Sequence, residues 1–321
     1  MTIRYLPDTA GLRSVPHIRL GLAPADAPQP VLQLGNEPGI RLPPHLRADT
    51  AAETVLRLLQ VPDADLLRPI TAVTSAGFQA GHLLAMWALC EPAAALERAE
   101  RLADAAHAVE FGVRRSTEAA QVACFLRAYP DESGVHDGAQ LYRSLLPQVG
   151  LLLDRPKDFD LYWVGEYSDV IQSDSLLGSG AVQLEVYEEI DLTVMYTPLR
   201  LHDLTRYSAT PTFRLLTVRS ENTYILEYRR ESWVQYQSRR PTPRVDLAPL
   251  ATRLNLFERA PGRWRADPVT VPVPRLLLDT GNGRPAPSSI AAETVIAEVV
   301  DYLRAAARRS ELHWSPYREG G

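Results

Sequence analysis

Apolar residues recur three and four positions apart in "AAETVLRLL" from Ala51, the spacing of one helix face. Asp49 or Thr50 can cap that helix, and Glu53, three or four residues on, supports its start there. "LLRPITAVTS" is a continuous apolar run rich in β-branched residues, which predicts a buried strand. Small residues from Ser75 to Gly81 then turn the chain into a helix from about His82 to Leu89. In "PAAALERAERLADAAHAVEFG", Leu96, Leu102, Ala106 and Val109 follow a period near 3.6, and Gly112 ends the helix. Helical patterns continue in "STEAAQVACFLRAY" and "AQLYRSLLPQVGLLL", with the polar loop "PDESGVHDG" between them.

After Asp154 the pattern changes. "DFDLYWVGEYSDVIQSDSLLGSG" reads as a helix, then "AVQLEVYEEIDLTVMYTP", "TFRLLTVRSENTYILEYRR" and "SWVQYQS" read as strands, with a hairpin turn at Ser220–Thr223. A helix capped by Asp246, the strand-like "GRWRADPV" and a long amphipathic helix capped by Ser288 or Ser289 complete the series. The proline-rich start, including "APADAPQP", reads as an extended arm, followed by a short strand at "VLQL". The expected fold is an α/β half of strand-turn-helix units, followed by an α+β half with an antiparallel sheet and flanking helices. The expected boundaries are an arm over 1–30, domains over 31–155 and 156–310, and a tail over 311–321.

A chain of 321 residues, 45% of them hydrophobic, can bury a large core. Its net charge of -5 argues against nucleic acid or an anionic membrane as the main partner. No apolar run approaches a membrane span and the N-terminus lacks a signal-type apolar region, so a cytoplasmic protein is expected. Cys90 and Cys124 lie in apolar helical contexts and read as small core residues.

Candidate chemistry gathers at a few places. The turn of Ser75, Ala76, Gly77 and Gly81 leaves room for a pocket at a strand's carboxyl end, with Ser75 and Gln79 as hydrogen-bond donors to a substrate. His82 is the titratable group nearest this turn and a candidate acid or base; Glu110 is a second, and His107 shares its helix face. In "YRRESWVQYQSRRPTPR", strand alternation would put Glu231, Trp233 and Gln235 on one face, with Trp233 and Gln235 lining a wall. Arg239, Arg240 and Arg244 could clamp an anionic group, or pair with Glu231 and Asp246 as a clasp. "LDTGNGRPAPSS", Leu278–Ser289, has a Gly-Asn-Gly turn and an arginine that suit anions, and reads otherwise as a plain connection.

Three stretches, "LRADTAAETVLRLL", "FQAGHLLAMWALCEPAAALERAERLADAAHAVEFG" and "YRRESWVQYQSRRPTPRVDLAPLATRLN", together resemble an uncharacterised bacterial family of actinobacterial type. In that family the turn before the second helix reads Asn-His-x-Asp-x-Asp-Gly, similar to the acidic strand-end motifs of DHH-type metal phosphoesterases. The aligned positions here are Ala76, Gly77, Gln79 and Gly81, none of them a metal ligand. Glu110 aligns where the family keeps an acidic residue before Phe-Gly. The resemblance therefore implies a degenerate phosphoesterase-like scaffold. The expectation is a metal-independent cytoplasmic enzyme acting on a small molecule, anionic or neutral, by cyclisation, elimination or hydrolysis in a pocket between the halves, with no cofactor and a homodimer as one assembly. Alternatives are a non-catalytic binding protein, or a metal-dependent hydrolase with ligands relocated to Asp65, Glu110, His136 or Asp137.

Overall fold

A computed structural model of the chain describes residues 3–7, 10–60 and 67–317. The chain forms an α/β arrangement in two compact units, Met1–Asp169 with Tyr236–Ser238, and Val170–Gln235 with Arg239–Gly321.

The first unit is built on β1 (Arg4–Tyr5), β2 (His17–Leu20), β3 (Leu32–Leu34) and, after helix α1 (Ala51–Gln60), β4 (Ala72–Ser75). All pairings are parallel, in the order β1-β4-β2-β3. All four residues of β2 are buried, as a strand covered on both faces must be. The expected N-terminal arm thus supplies an inner strand of the sheet, and "APADAPQP" is the connection between β2 and β3. Four residues are too short a run to announce a strand by periodicity.

Helix α2 (Ala80–Cys90) follows β4 and is buried continuously from Gly81 to Leu89, because it is apolar on every side. Around it the unit adds α3 (Pro92–Glu97), α4 (Ala99–Phe111), α5 (Thr117–Ser133), α6 (Gly138–Leu145), α7 (Val149–Asp154) and the start of α8 (Asp160–Gly178). Ser116 caps α5 by accepting from the Ala119 amide, and Gly112 ends α4 in the left-handed region. Cys124 is buried and Cys90 half-buried. Burial pushes both thiols up, to about 12 and about 11 respectively, so both remain protonated.

The second unit holds β5 (Gln183–Tyr187), β6 (Leu192–Thr197), α9 (Asp203–Ser208), β7 (Arg214–Arg219), β8 (Thr223–Tyr228), β9 (Arg244–Val245), α10 (Ala248–Phe257), β10 (Arg263–Ala266), β11 (Arg275–Asp279), α11 (Ala292–Ala307) and β12 (His313–Trp314). Its main sheet runs β10-β11-β8-β7-β6-β5. It is mixed rather than wholly antiparallel, because α9 carries the chain across from β6 to a parallel β7. The hairpin between β7 and β8 turns through Asn222 at φ 52°. Residues such as Val194, Leu216, Leu226 and Leu276 share one face and pack with Leu250, Leu254, Val295 and Val299 of α10 and α11. The opposite face carries Met195, Thr217, Glu227 and Arg275, an alternation of period two.

Further local expectations fail. The single helix expected over "PAAALERAERLADAAHAVEFG" is interrupted at Arg98, which leaves helical backbone geometry and separates α3 from α4. "SWVQYQS" is not a strand: residues Arg230–Ser232 form a 3-10 turn, so Glu231, Trp233 and Gln235 do not share a strand face. The turn is fixed by Ser232, whose hydroxyl donates to the Arg229 carbonyl (2.7 Å) and accepts from Arg244 Nε (2.8 Å). Nor do Ser288 and Ser289 cap α11. Both hydroxyls donate to Glu258 instead, at 2.6 and 2.7 Å.

Candidate functional site

The carboxyl edge of a parallel sheet is where successive strand-to-helix loops converge. Ser75 ends β4, His82 lies in the first turn of α2, and Glu37 follows the turn after β3. Ser75 Oγ lies 2.8 Å from His82 Nδ1, and His82 Nε2 lies 3.3 Å from Glu37 Oε1. All three residues are buried, about 95% or more removed from solvent. With a carboxylate at Nε2 the neutral ring keeps its proton there, an assignment from the hydrogen-bond pattern. Nδ1 is then left as an acceptor facing the serine hydroxyl, whose single proton can go to Nδ1 or to the Gly77 carbonyl.

The backbone is shaped around this pair. Gly21, after β2, has φ 72°, and a Cβ there would meet His82 Cε1 at 2.4 Å and Glu37 Oε1 at 3.2 Å. Glycine is the residue that allows both the left-handed turn and the close approach. On the other side, Ser75 Oγ also reaches the Gly77 carbonyl at 3.1 Å, and Tyr142 of α6 donates to that carbonyl at 3.0 Å. The Tyr142 hydroxyl also accepts from the Gln79 amide at 3.2 Å, and burial raises it to about 12. The Gln79 side chain is exposed and does not cap α2; its backbone, not its amide group, is what the turn uses.

Glu110 closes against the same helix start. A Cβ on Gly81 would lie 2.6 Å from Glu110 Oε1, an oxygen that also accepts from the Ala51 amide of α1 at 3.3 Å. One carboxylate thus meets the first turns of two helices, a favourable position for negative charge. Next to it, Thr50 and Glu53 form a reciprocal capping box: the Glu53 amide donates to Thr50 Oγ1 (3.1 Å), and the Thr50 amide donates to Glu53 Oε2 (3.0 Å). His107 Nε2 meets the same Glu53 oxygen at 3.2 Å. Burial alone would raise the Glu53 carboxyl, but the bond and charge of His107 and the donors of Thr50 hold it below its ordinary value. Burial likewise disfavours a charged His107, and Glu53, followed by Asp49, overcomes it and raises the imidazole.

Asp49 completes this second group. It accepts from the backbone amides of Gln237 (2.5 Å) and Ser238 (2.9 Å) and from the Ser238 hydroxyl. Asn36, the neighbour of Glu37, donates to the Asp49 carbonyl, so the two polar groups adjoin. The ligand atoms of Asp49, Glu53 and His107 all lie within 4.8 Å of one another, a set able to hold a divalent cation.

The arginine clamp expected from "SRRPTPR" does not form. Arg244 is fully buried, donating to the carbonyls of Val269 (3.0 Å), Val271 (2.6 Å), Pro272 (2.7 Å) and Arg229 (3.2 Å). Desolvation lowers its guanidinium to about 9. Arg239 lies 3.9 Å over the Phe213 ring and 3.4 Å from Asp191, while Arg240 covers Tyr317 at 5.1 Å. Glu231 pairs with Arg229, not with these three, and Asp246 Oδ1 accepts from the Ala248 amide at the start of α10. Trp233 donates to the Thr270 carbonyl at 2.9 Å and Gln235 is half-buried, both within the second unit. Asp137 caps α6 through the Gln140 amide at 2.7 Å. Asp65 lies outside the described residues.

The sequence model of DUF6687, a family of unknown function, matches residues 2–314. The chain belongs to this family. No curated protein and no solved structure matches it. In this DUF6687 chain the site includes three residues that sequence reasoning passed over: Glu37, Gly21 and Tyr142. The turn signals around "LG" and "GNEPG" were the only trace of the first two. Among the described residues no helix is long and apolar enough to cross a membrane.

Proposed function

We propose that this chain is a cytoplasmic enzyme of small-molecule metabolism in which His82 acts as general base and acid, working through or beside the Ser75 hydroxyl. The observation that carries the reading is the continuous chain of contacts from Ser75 Oγ through the His82 ring to Glu37. Nucleophile, base and orienting carboxylate within hydrogen-bond reach are what activation of a hydroxyl requires. His82 Nδ1 takes the serine proton, Glu37 stabilises the imidazolium that forms, and the proton then passes to the departing group. The class of reaction is hydrolysis or a related acyl or phosphoryl transfer, with cyclisation and elimination open to the same acid-base pair. Glu110 is assigned a positioning role through Gly81 and the start of α1. The scaffold is taken as a degenerate relative of DHH-type phosphoesterases; a parallel sheet with polar groups at its carboxyl edge supports this. The turn residues Ala76, Gly77, Gln79 and Gly81 offer no anionic oxygen and do not fit the metal of that fold.

An organophosphonate serine reagent tests the reading. Peptide mapping is expected to find the adduct on Ser75 in the wild type and none in His82→Ala, with far-ultraviolet circular dichroism unchanged. Reaction of Ser75 undiminished in a folded His82→Ala protein would sink it.

A second reading, a metal-dependent hydrolase with relocated ligands, is favoured by the Asp49, Glu53 and His107 cluster. Two carboxylates and one imidazole suit Mn²⁺ or Zn²⁺. Each group already has a protein partner, so an ion would have to compete with Thr50, Ser238 and the proton on His107. Elemental analysis of purified protein decides it: one equivalent of metal, lost in Glu53→Gln, is the result this reading requires.

A further inference from the structure

The face of the second unit's sheet opposite α10 and α11 bounds a half-open cavity of about 560 Å³, within the range of small-molecule sites. Five arginines line it, Arg200, Arg206, Arg219, Arg275 and Arg284, against a single glutamate, Glu227. That is a local excess of four positive charges in a chain whose net charge is -5. The strand register explains the convergence. Arg219 stands opposite Thr197 across one strand pair, Thr217 opposite Met195 and Ile225, and Arg275 opposite Glu227, so side chains from β6, β7, β8 and β11 project to one side.

Within this set the groups divide. Arg206 is committed: it bonds Glu227 at 2.7 Å and Asp203 at 3.0 Å, and Tyr207 donates to the same glutamate at 2.9 Å. Arg275 has a distant partner, Asp267, at 3.8 Å. Arg200, Arg219 and Arg284 have no carboxylate partner among the described residues. Two buried polar atoms in the lining also lack a hydrogen bond, Arg219 Nε and the hydroxyl of Thr217, a residue 93% removed from solvent. Buried polar atoms are almost always satisfied, and like charges are not gathered without cause. A bound oxyanion supplies both what the guanidinium groups and what the hydroxyl lack.

We infer that this cavity binds a small molecule carrying a multiply charged oxyanion, either phosphate groups or clustered carboxylates, held by Arg219 and Arg284 with Thr217 donating to it. The loop Leu278–Ser289 contributes through Gly283, Arg284 and Pro285. Asp279 shapes that loop by accepting from the amides of Gly281 (2.8 Å) and Gly283 (3.0 Å). The site is independent of Ser75 and predicts binding whether or not that serine turns substrate over.

Isothermal titration of the full chain with pyrophosphate and, separately, with citrate tests the inference and distinguishes the two chemistries. Saturable one-to-one binding of at least one anion is expected, at least tenfold weaker in Arg219→Ala and in Arg284→Ala, several-fold weaker in Thr217→Val, and unchanged in Arg308→Ala at the end of α11. A merely structural arginine would lower the melting temperature without ligand. Here Arg219→Ala and Arg284→Ala are expected to melt no lower than the wild type in plain buffer, and to lose the upward shift that the anion gives it. No saturable heat with either anion, or equal weakening by Arg308→Ala, overturns it.

Discussion

In the first unit the charged side chains beside the carboxyl edge of the sheet are matched in place: Glu37 meets His82, Glu53 meets His107, and Asp49 meets two amides and a hydroxyl. In the second, guanidinium groups crowd one sheet face with a single glutamate among them, and a buried threonine hydroxyl is left unanswered. Burial is expensive for an unmatched polar group and cheap for a matched one. The first arrangement pairs its carboxylates with imidazoles and amides and is suited to holding an imidazole in one orientation. The second is completed only from outside.

His82→Ala sharpens this contrast most. It is expected to lower reaction of Ser75 with the phosphonate reagent by about 10²- to 10⁴-fold, the usual worth of a positioned base, while leaving anion binding in the second unit unchanged. Arg244→Ala comes next. It leaves three backbone carbonyls, those of Val269, Val271 and Pro272, without their arginine donor, and urea unfolding is expected to show a loss of about 3–5 kcal/mol. Arg239→Ala, which removes a half-exposed guanidinium 3.4 Å from Asp191, is expected to cost about 1 kcal/mol. If the two prove equal, the distinction between structural and free arginines fails.

Glu258→Gln gives a smaller effect with a signature in pH. Burial alone would raise this carboxyl, but Ser288, Ser289 and the Ala260 amide hold it down to about 2. A depressed carboxyl stabilises the fold above its unfolded value near 4.5 and loses that contribution as pH falls toward 2. The variant is expected to be about 1–2 kcal/mol less stable near neutrality, with the gap closing between those values in acid-unfolding curves. The smallest effect belongs to His107→Gln. The raised imidazole contributes below its ordinary value of 6.5 and loses that contribution as pH rises through its higher folded value. The wild type is therefore expected to show a shallow alkaline decline in stability that the variant lacks; the same slope in both would remove the charged pair from the account.

Long local signals were legible in the sequence. The helix start at Thr50 and Glu53, the strand and turn before α2 and the stop of α4 at Gly112 depend on neighbours within a few residues, and the structure has all three. The site was half legible. Ser75 and His82 lie seven positions apart on one strand-turn-helix unit, so their proximity could be argued. Glu37 is 45 positions from His82 and reaches it only because β3 and β4 flank β2 in the sheet, which no periodicity encodes. The clamp of Arg239, Arg240 and Arg244 failed for the converse reason. Arginine reads as an anion ligand in sequence, yet Arg244 spends its donors on carbonyls of the segment Val269–Pro272, whose approach was invisible. The arginines that do gather come from two strands, one helix and two connections, each with one unremarkable charge.

The bonds of Asp49 set an order on events at the ribosome. Its carboxylate, 4% exposed, accepts from Gln237 and Ser238, residues that count with the first unit although the chain on either side of Tyr236–Ser238 belongs to the second. Those donors are synthesised only after β5 to β8 have been made. The first unit is the first to be translated, yet three of the donors to Asp49 come from residues made after most of the second unit's sheet.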